Sequence, residues 1–480
     1  MLTQTDIAAG LRELGLKAGD IVLLHSSLAS LGKVEGGAEA VRDAFLSVLG
    51  EAGTLVVPIF EPGLGLITEA VNNHPRAVRS VHPLACVAAI GNDAAELCAH
   101  HLQAETAHAH GTPFMRIAEK GGYVCLLGVD QDRNTTLHTA EALLRLPYLT
   151  AETRSFPTPE GETTRSWAFF PGPHRDFIGL DPLLRASGRM KMGKIGKAVV
   201  RLIKSQDLIQ IALEAGKQDP AFVLCDNPNC PDCIDQRAKI RQDFFKRESF
   251  TIVASATLAG QFAEEIAARC REAGIPAVEL DALRARPLAM LKPRVIAKAI
   301  STLREEGSQV VALRSSAVSN RILDLIQLAR EHQVPRIIAP LSCEAAAYAT
   351  AAKAADISIS FFNSDLDSDT CSGILAQLRD QGLPAGFTFN GANFARCGEL
   401  PFLVSYKKKL RRFVDQLDVV DGTYDGHPQP LACGNAEVKE MISILRCASF
   451  SGHMTLAAGN RQSGTLAQAA ARFQALLQDM

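Results

Sequence analysis

The strongest constraint on the fold is a regular alternation in the second half of the chain. After residue 248, eight short apolar runs follow one another, and segments with helical periodicity separate most of them. Buried parallel strands are short apolar runs, and parallel neighbours need a crossover between them. Eight such units in about 230 residues match the size of a (β/α)8 barrel. The runs are TIVASAT, AVELDA, QVVALRS, RIIAPLS, DISISFF, AGFTFN, LDVVDG and GHMTLAA.

The first half of the chain is less regular. It opens with an amphipathic helix for which Thr5 is the predicted N-cap, and strands are predicted at residues 21–27 and 54–60. A helix is predicted from about residue 136, and a hairpin across residues 156–170. This mixture indicates an α/β domain with some antiparallel strands.

Chain length predicts two domains. A chain of 480 residues is too long for one ordinary hydrophobic core. Residues 225–237 form a polar, Pro-rich break, and a charged stretch follows it. We therefore expect an N-terminal mixed α/β domain over residues 1–246 and a TIM-like barrel over residues 249–480.

Composition narrows the classes of partner. The formal net charge is -2, with 21% charged residues of both signs, so neither a nucleic acid nor a membrane surface is expected as a partner. The N-terminus lacks the pattern of a signal peptide, and the apolar runs are too short to span a bilayer. Most of the 12 cysteines lie in apolar segments, which is typical of reduced thiols in a cytoplasmic protein. The oligomeric state stays open, and a homo-oligomer is one alternative.

A glycine-rich connection at residues 25–37, HSSLASLGKVEGG, follows a predicted strand and precedes a predicted helix. Gly32, Gly36 and Gly37 would let the backbone approach a ligand closely. The helix N-terminus would present N–H groups that suit a pyrophosphate. A tight strand-to-helix turn without any ligand explains the same residues, and such turns are more common.

A second motif, NTTLHTAE at residues 134–141, places a histidine and a carboxylate on one helical face. His138 and Glu141 are three residues apart, and Asn134 or Thr135 is the predicted helix cap. A carboxylate beside an imidazole raises its basicity and fixes its tautomer, which suits a general base. The alternative is an ordinary ion pair on the surface of a helix.

The order of these motifs resembles that of the aminoglycoside 3-N-acetyltransferase family. HSSLASLGKVEGG, RSVHPLACVAAIG, HGTPFMRI and LLGVDQDRNTTLHTAE occur in one order, and the resemblance covers residues 3–150 well and residues 151–246 loosely. It implies direct transfer of an acetyl group from acetyl-CoA to a primary amine of an aminosugar antibiotic. His138 would be the base, with Glu141 beside it, and backbone N–H groups or the hydroxyl of Thr135 or Thr136 would stabilise the oxyanion.

The resemblance also implies where the coenzyme binds. The residues expected near acetyl-CoA are Ser26, Ser27, Leu28, Gly32, Val34, Gly36, Gly37, Thr112 and Arg116. Two departures concern the acceptor: the segment after PIF is short, and Cys86 stands where the family more often has Ser. They point to a different aminosugar or a small metabolite as the alternative amine.

Three cysteines near the domain boundary have metal-ligand spacing. Cys225, Cys230 and Cys233 form C-x4-C-x2-C, whose second half is a zinc-knuckle spacing. A structural zinc ion is the prediction, with His174 or a more distant cysteine as the fourth ligand. The alternative is three unligated thiols, and a redox pair is less favoured.

The second half resembles xylose-isomerase-like sugar-phosphate isomerase and epimerase barrels. The resemblance is clearest in AGFTFNGANFARCGELPF, in LDVVDGTYDGHPQPLACGNAEVKEMISIL and in FSGHMTLAA. It implies metal ligands at the strand ends, but Asn390, Asn393 and Ala457 stand at such positions, and Asp421 alone is retained. We expect a metal-free, noncatalytic barrel. The alternatives are a working isomerase or epimerase with an accessory CoA-binding domain, and a noncatalytic sugar-binding protein.

Overall fold

The computed structural model describes residues 1–158, 161–172, 175–457 and 464–480. The chain divides into two compact units, Met1–Gln236 and Arg237–Met480. The division lies inside a helix at Pro231–Phe245, close to the predicted domain limits, which stay a prediction. Across these described residues, no helix combines the length and the apolar character needed to cross a bilayer.

The first unit is built on a seven-stranded mixed sheet. Its centre is parallel, and antiparallel strands extend it on both sides in the order β3-β4-β2-β1-β5-β9-β8. The strands are β1 Ile21–Ser26, β2 Thr54–Pro58, β3 Val78–Arg79, β4 Val87–Gly91, β5 Tyr123–Leu127, β8 Lys191–Ile195 and β9 Ala198–Lys204, with a separate hairpin of β6 Thr150–Thr158 and β7 Gly161–Phe169.

The hairpin predicted from the sequence is confirmed. Strands β6 and β7 pair in an antiparallel register from Thr150 opposite Phe169 to Thr158 opposite Gly161. Two residues of the predicted turn, Pro159 and Glu160, lie outside the described residues.

Helices cover both faces of the sheet. Along β1, Val22 and Leu24 point into one apolar cluster, and Ile21 and Leu23 point into another. The helices are α1 Gln4–Glu13, α2 Leu28–Leu31, α3 Gly37–Leu49, α4 Leu66–Asn72, α5 Ala94–Cys98, α6 Pro113–Glu119, α7 Leu137–Leu144, α8 Asp181–Ala186, α9 Ser205–Gln218 and α10 Pro231–Phe245, with 3-10 turns at His101–Gln103, Gln131–Arg133 and Phe177–Leu180. The open edge of the sheet, where parallel strands end, is the place at which α/β folds bind ligands.

Two predicted helix caps are wrong. Thr3, not Thr5, caps α1, because its hydroxyl accepts the Asp6 N–H at 3.2 Å while the Asp6 carboxylate accepts the Thr3 N–H at 2.9 Å. The residue before α7 is Thr136, and its side chain makes no capping bond. The Asn134 amide is used instead in a bond to Gln131.

The second unit is a closed barrel of eight parallel strands, and the prediction of eight strands is confirmed. Each predicted run overlaps one barrel strand, in chain order around the barrel, and β18 begins three residues before its predicted run. The strands are β10 Thr251–Ser255, β11 Ala277–Leu280, β14 Gln309–Arg314, β15 Arg336–Pro340, β16 Ser358–Phe362, β17 Gly386–Phe389, β18 Val414–Val419 and β21 His453–Leu456. Two short antiparallel pairs stand outside the barrel: β12 Ala282–Leu283 with β13 Arg286–Pro287, and β19 Asp421–Gly422 with β20 Pro428–Gln429.

Helical segments connect the barrel strands, as right-handed crossovers require. Most are ordinary α-helices, and a π-helix at Pro401–Leu410 precedes β18. The helices are α11 Ala256–Ala259, α12 Ala263–Ala273, α13 Pro293–Glu305, α14 Arg321–Glu331, α15 Ala345–Ala354, α16 Ser368–Asp380, α17 Gly391–Arg396, α18 Val438–Cys447 and α19 Leu466–Gln478.

Candidate active site

A buried histidine–glutamate pair lies at the start of α7, beyond the carboxyl end of β5. His138 Nδ1 is 2.5 Å from Glu141 Oε2, and the two side chains are 12% and 1% exposed. The three-residue spacing therefore brings the two groups together, as the sequence predicts. The alternative of a surface ion pair is wrong, since burial separates both groups from bulk water.

Two further side chains hold the glutamate, and sequence reasoning missed both. Glu141 Oε1 accepts a hydrogen bond from the Tyr148 hydroxyl at 2.7 Å and another from Arg175 Nε at 2.8 Å. Arg175 is itself only 4% exposed. A buried carboxylate needs several donors to remain charged, and these three partners supply them.

The charge states of the pair suit proton transfer. Burial alone would raise the pKa of Glu141, but the hydrogen bond and charge of His138 and the charge of Arg175 hold that pKa below its ordinary value. Burial lowers the pKa of His138, and Glu141 opposes this shift only in part. At neutral pH the carboxylate is therefore ionised and the imidazole neutral. Nδ1–H donates to Glu141, which leaves Nε2 as the nitrogen that can take a proton.

Aromatic rings fix the plane of the imidazole. The Phe170 ring stacks on His138 with centroids 3.7 Å apart and an interplanar angle of 6°, and Phe177 meets it edge-on at 4.9 Å. His108 lies 5.2 Å away on another side. Burial, with the neighbouring His138 second, holds the pKa of His108 well below its ordinary value, so it adds no positive charge beside the base.

His138 lines a cleft of about 620 Å³. Glu61 enters from the loop after β2, and Glu152 and Arg154 enter from the hairpin. Carboxylates in a cleft beside a base suit a cationic amine. The cleft is also lined by Phe60, Pro83, Leu84, His108, Thr135, Thr150, Phe169, Phe170, Pro171 and Gly172. Of the two predicted oxyanion hydroxyls, Thr135 therefore faces the cleft, while Thr136 is fully buried.

The glycine-rich connection packs against the loop that leads to His138. Ser26 ends β1 opposite Leu127, and the Ser27 N–H donates to the Leu127 carbonyl at 3.0 Å. Gly128 follows with φ +69°, where a Cβ would collide with Ser30. The ends of β1 and β5 thus emerge side by side, at the point where the strand order reverses.

The predicted coenzyme residues lie in the glycine-rich connection after β1 and at helix α6. Leu28 begins α2, Gly32 ends it, and Gly36 and Gly37 begin α3 with φ of 75° and 61°. Val34 forms an isolated bridge with Leu2. None of the nine predicted residues is among those lining the cleft in the described part of the chain. Their contact with a coenzyme stays a prediction.

Thr112 and Arg116 use their polar groups within the fold. The Thr112 hydroxyl donates to the Ala109 carbonyl at 2.6 Å and accepts the Met115 N–H, so Thr112 caps α6. The Arg116 guanidinium donates to the carbonyls of Glu96, Leu97 and Ala99 at the end of α5. These contacts orient α5 and α6.

Comparison with known proteins identifies the family. The model of the aminoglycoside 3-N-acetyltransferase family matches residues 23–63 and 61–215. The chain is similar to aminoglycoside N(3)-acetyltransferase IV of a Salmonella species, with 31% identity over 46% of this chain and 90% of the relative. The chain belongs to the aminoglycoside 3-N-acetyltransferase family. It is therefore an acyltransferase enzyme.

Two further proteins of the family are similar. Aminoglycoside N(3)-acetyltransferase III of Serratia marcescens is 30% identical over 44% of this chain and 96% of the relative. A crystal structure of a histidine-to-alanine mutant of aminoglycoside acetyltransferase AAC(3)-IVa in complex with a gentamicin is 28% identical, covers 50% of this chain and 98% of that one, and has a TM-score of 0.47. The family match ends before the cysteine cluster and the barrel.

The three predicted cysteine ligands lie together. The Sγ atoms of Cys225, Cys230 and Cys233 all fall within 4.8 Å of one another, and the Cys225 N–H donates to Cys233 Sγ at 3.4 Å. Cys230 and Cys233 are buried, at the entrance to α10. The predicted fourth ligand, His174, lies outside the described residues.

An arginine lies inside the barrel between two acids. Arg314 Nη1 is 2.9 Å from Glu279 Oε1, and Arg314 Nη2 is 2.8 Å from Asp418 Oδ2. Asn390 Nδ2 also donates to Asp418, at 3.2 Å. Arg314, Asn390, Asn393, Asp418, Asp421 and Ala457 all line a cavity of about 290 Å³.

Asp421, the one retained acid of the predicted barrel site, is used to hold a loop. Its carboxylate accepts the N–H groups of Gly422, Cys433, Gly434 and Ala436 at 2.8 to 3.1 Å. A carboxylate with four backbone donors has its lone pairs occupied.

Proposed function

We propose that the first unit transfers an acetyl group from acetyl-CoA to a primary amine of an aminoglycoside or another aminosugar, with His138 as the general base. The observation that carries this proposal is the buried, ionised Glu141 beside a neutral His138 that lines the cleft. Family membership supplies the reaction class.

The reaction is a direct attack without a covalent enzyme intermediate. The amine nitrogen attacks the thioester carbonyl while His138 Nε2 takes the proton that the amine loses. Collapse of the tetrahedral species forms the amide and breaks the C–S bond, and the CoA thiolate that leaves takes the proton that His138 holds, which restores the neutral base. The developing imidazolium is stabilised by Glu141, and Tyr148 and Arg175 keep Glu141 in place.

For coenzyme binding we extend the sequence prediction. The connection from Ser26 to Gly37 ends at the N-terminus of α3 and packs on the loop that leads to His138. Two glycines with positive φ keep that N-terminus free of side chains, which suits the phosphates of acetyl-CoA.

The acceptor is proposed to be a cationic aminosugar. Glu61 and Glu152 stand on the walls of the cleft, and their carboxylates attract ammonium groups. Arg154 pairs with Glu152, which lowers the net negative charge of the cleft. A small aminosugar with few amines therefore remains an alternative to a highly cationic antibiotic.

Thiol release tests the proposal. The purified protein is mixed with acetyl-CoA and a panel of aminosugars, and free CoA is followed with a chromogenic disulfide. His138→Ala is expected to lower kcat by about 10²- to 10⁴-fold. Glu119→Gln, on the exposed end of α6, is the matched control and should keep full activity. The proposal fails if no amine stimulates release, or if His138→Ala releases CoA at the wild-type rate.

The cysteine cluster is proposed to hold a structural zinc ion. Three thiols that converge within 4.8 Å supply the soft ligands that zinc prefers in closed, structural sites.

A homo-oligomer also stays a proposal, for which a sedimentation measurement is the test.

For the second unit we propose a noncatalytic role in binding a polar small molecule. The metal that the barrel resemblance implies does not fit these residues. Asn390, Asn393 and Ala457 offer no carboxylate, Asp421 is occupied by backbone donors, and the Arg314 guanidinium lies between the two buried acids. Equilibrium dialysis with magnesium or manganese tests this, and stoichiometric binding to the barrel would contradict it.

A further inference from the structure

The cysteine cluster is anchored to the chain segment that ends in Arg175. The Gln236 side-chain amide donates to the Pro171 carbonyl at 3.2 Å, and the Asp176 N–H donates to the Val223 carbonyl at 2.9 Å. These contacts lie on either side of Arg175, and on either side of the cysteines along the chain.

A third contact leaves no room for a side chain. Gly172 has φ +69°, and a Cβ at this position would lie 2.7 Å from the Asp232 carboxylate. Asp232 lies between Cys230 and Cys233. The backbone before Arg175 therefore contacts the side chain of Asp232, which belongs to the cysteine-bearing segment.

Arg175 in turn reaches the catalytic pair. Its Nε donates to Glu141 Oε1 at 2.8 Å, and its guanidinium lies 5.1 Å from the centre of the Phe170 ring and 5.4 Å from that of Tyr148. The same Phe170 ring stacks on His138. Arg175 thus contacts both the hydrogen-bond partner of the base and the ring that fixes its plane.

A continuous set of contacts joins the thiols to the base. It runs from the cysteine segment to Pro171, Gly172 and Asp176, then through Arg175 to Glu141, and from there to His138. The contacts link the first turns of α10 and the irregular chain before it to the irregular chain on either side of Arg175, without sheet pairing. Such segments open more easily than helices and strands, so a cross-link inside one of them restrains the others.

We infer that a zinc-type cation held by Cys225, Cys230 and Cys233 fixes the backbone at Pro171, Gly172 and Asp176, so that metal occupancy positions Arg175 against Glu141 and sets the rate of acetyl transfer. This inference rests on the proposed acetyl transfer and on the proposed zinc site. It adds that Arg175 is a positioning residue, and that the metal supports catalysis from outside the cleft.

Moving Arg175 away from the catalytic pair changes the pKa of His138 in a definite direction. Burial is the main cause that lowers the pKa of His138, and the charge of Arg175 lowers it further, while Glu141 raises it. Among the described residues that line the cleft, the other titratable groups are His108, which is neutral, and Glu61, Glu152 and Arg154. If Arg175 withdraws, the pKa of His138 therefore rises.

The first experiment uses the full chain as purified. Metal content is measured by mass spectrometry, the pKa of His138 by NMR titration of labelled imidazoles without substrate, and kcat and KM by thiol release. We expect about one zinc per chain. Chelation should lower kcat about tenfold or more, change KM for acetyl-CoA by less than about twofold, and raise the pKa of His138. Added zinc should restore all three.

The variants separate the steps. Cys230→Ser should reproduce the chelated state, and Cys343→Ser, at an exposed cysteine of the second unit, is the matched control without effect. Arg175→Met should raise the pKa of His138 and lower kcat even with zinc bound, and Arg175→Lys should recover part of both. Circular dichroism confirms that each variant is folded.

Each outcome decides one point. Protein that takes up no zinc after reconstitution overturns the metal site. Metal-free protein that keeps the wild-type kcat and His138 pKa overturns the coupling, and an unchanged pKa in Arg175→Met overturns the positioning role. If the wild-type protein acetylates no amine, the proposed function fails, but the NMR titration still tests this inference because it needs no turnover.

Discussion

Replacing Glu141 with glutamine tests the core of the catalytic site. Glu141→Gln keeps the size of the side chain and removes its charge. The glutamine can still meet Tyr148 and His138, but it takes the carboxylate away from the guanidinium of Arg175, which is 4% exposed. Removing one partner of a buried ion pair costs about 3–5 kcal/mol. For a unit of this size, that cost corresponds to a fall in Tm of about 6–20 °C.

The effect on catalysis has a separate origin. Without the carboxylate, Nδ1–H loses its charged acceptor and the imidazolium loses its counter-charge, so kcat should fall by about 10²- to 10⁴-fold. Glu141 is also the group that raises the pKa of His138. Its removal should therefore lower that pKa further, and the acid limb of the pH–rate profile should move to lower pH.

Thiol release across a pH series measures both effects, and calorimetry measures Tm. In the wild type, the acid limb should lie below the ordinary imidazole pKa of about 6.5, because burial lowers the pKa of His138. Glu152→Gln, which removes a cleft carboxylate that does not bond to His138, is the matched control and should change KM for the amine more than kcat. An acid limb that moves to higher pH in Glu141→Gln, or a kcat within about twofold of wild type, would refute the reasoning.

Three other perturbations have equally definite outcomes. Phe170→Ala removes the half-buried ring stacked on His138, so it should cost about 1–3 kcal/mol and, by admitting water, raise the pKa of His138; calorimetry and the pH–rate profile check these effects. Arg314→Met leaves two buried acids without their cation, so unfolding of the barrel should require about 3–5 kcal/mol less while acetyl transfer is unchanged; denaturant unfolding monitored beside thiol release tests both, and a stable variant would contradict the ion-pair account. Thr3→Ala removes one half of the capping box of α1 and should cost about 1 kcal/mol; a loss as large for Thr5→Ala would contradict the assignment of the cap.

The sequence predicted the barrel strands well because their signal is local. A buried parallel strand is apolar on both faces, so each strand is visible as a run such as the one over β14, whatever its neighbours are. Helix caps were predicted less well. Thr3 and Thr5 both precede the apolar stripe of α1, and only the reciprocal bond to Asp6 distinguishes them.

In the active site, too, the sequence predicts contacts between neighbours on one helix but not contacts with a distant segment of the chain. His138 and Glu141 meet because helical geometry fixes side chains three residues apart, so spacing alone predicted their contact. Arg175 lies 34 residues beyond Glu141 along the chain, in a segment without periodicity. Its place depends on contacts with residues 223 and 236, and no local pattern encodes such contacts.

The contacts of Glu141 determine how much of the chain the catalytic pair requires. The motifs that carry the family resemblance end near residue 150, and they contain the base and its carboxylate. That carboxylate is 1% exposed, and burial alone would raise its pKa, so it depends on the donors and charges around it. His138 and Tyr148 supply donors from within the motif block, and the charge of Arg175 adds to the effect of His138 in holding the pKa of Glu141 below its ordinary value. The catalytic pair therefore needs the chain beyond its own motifs, at least as far as the segment that holds Arg175 in place.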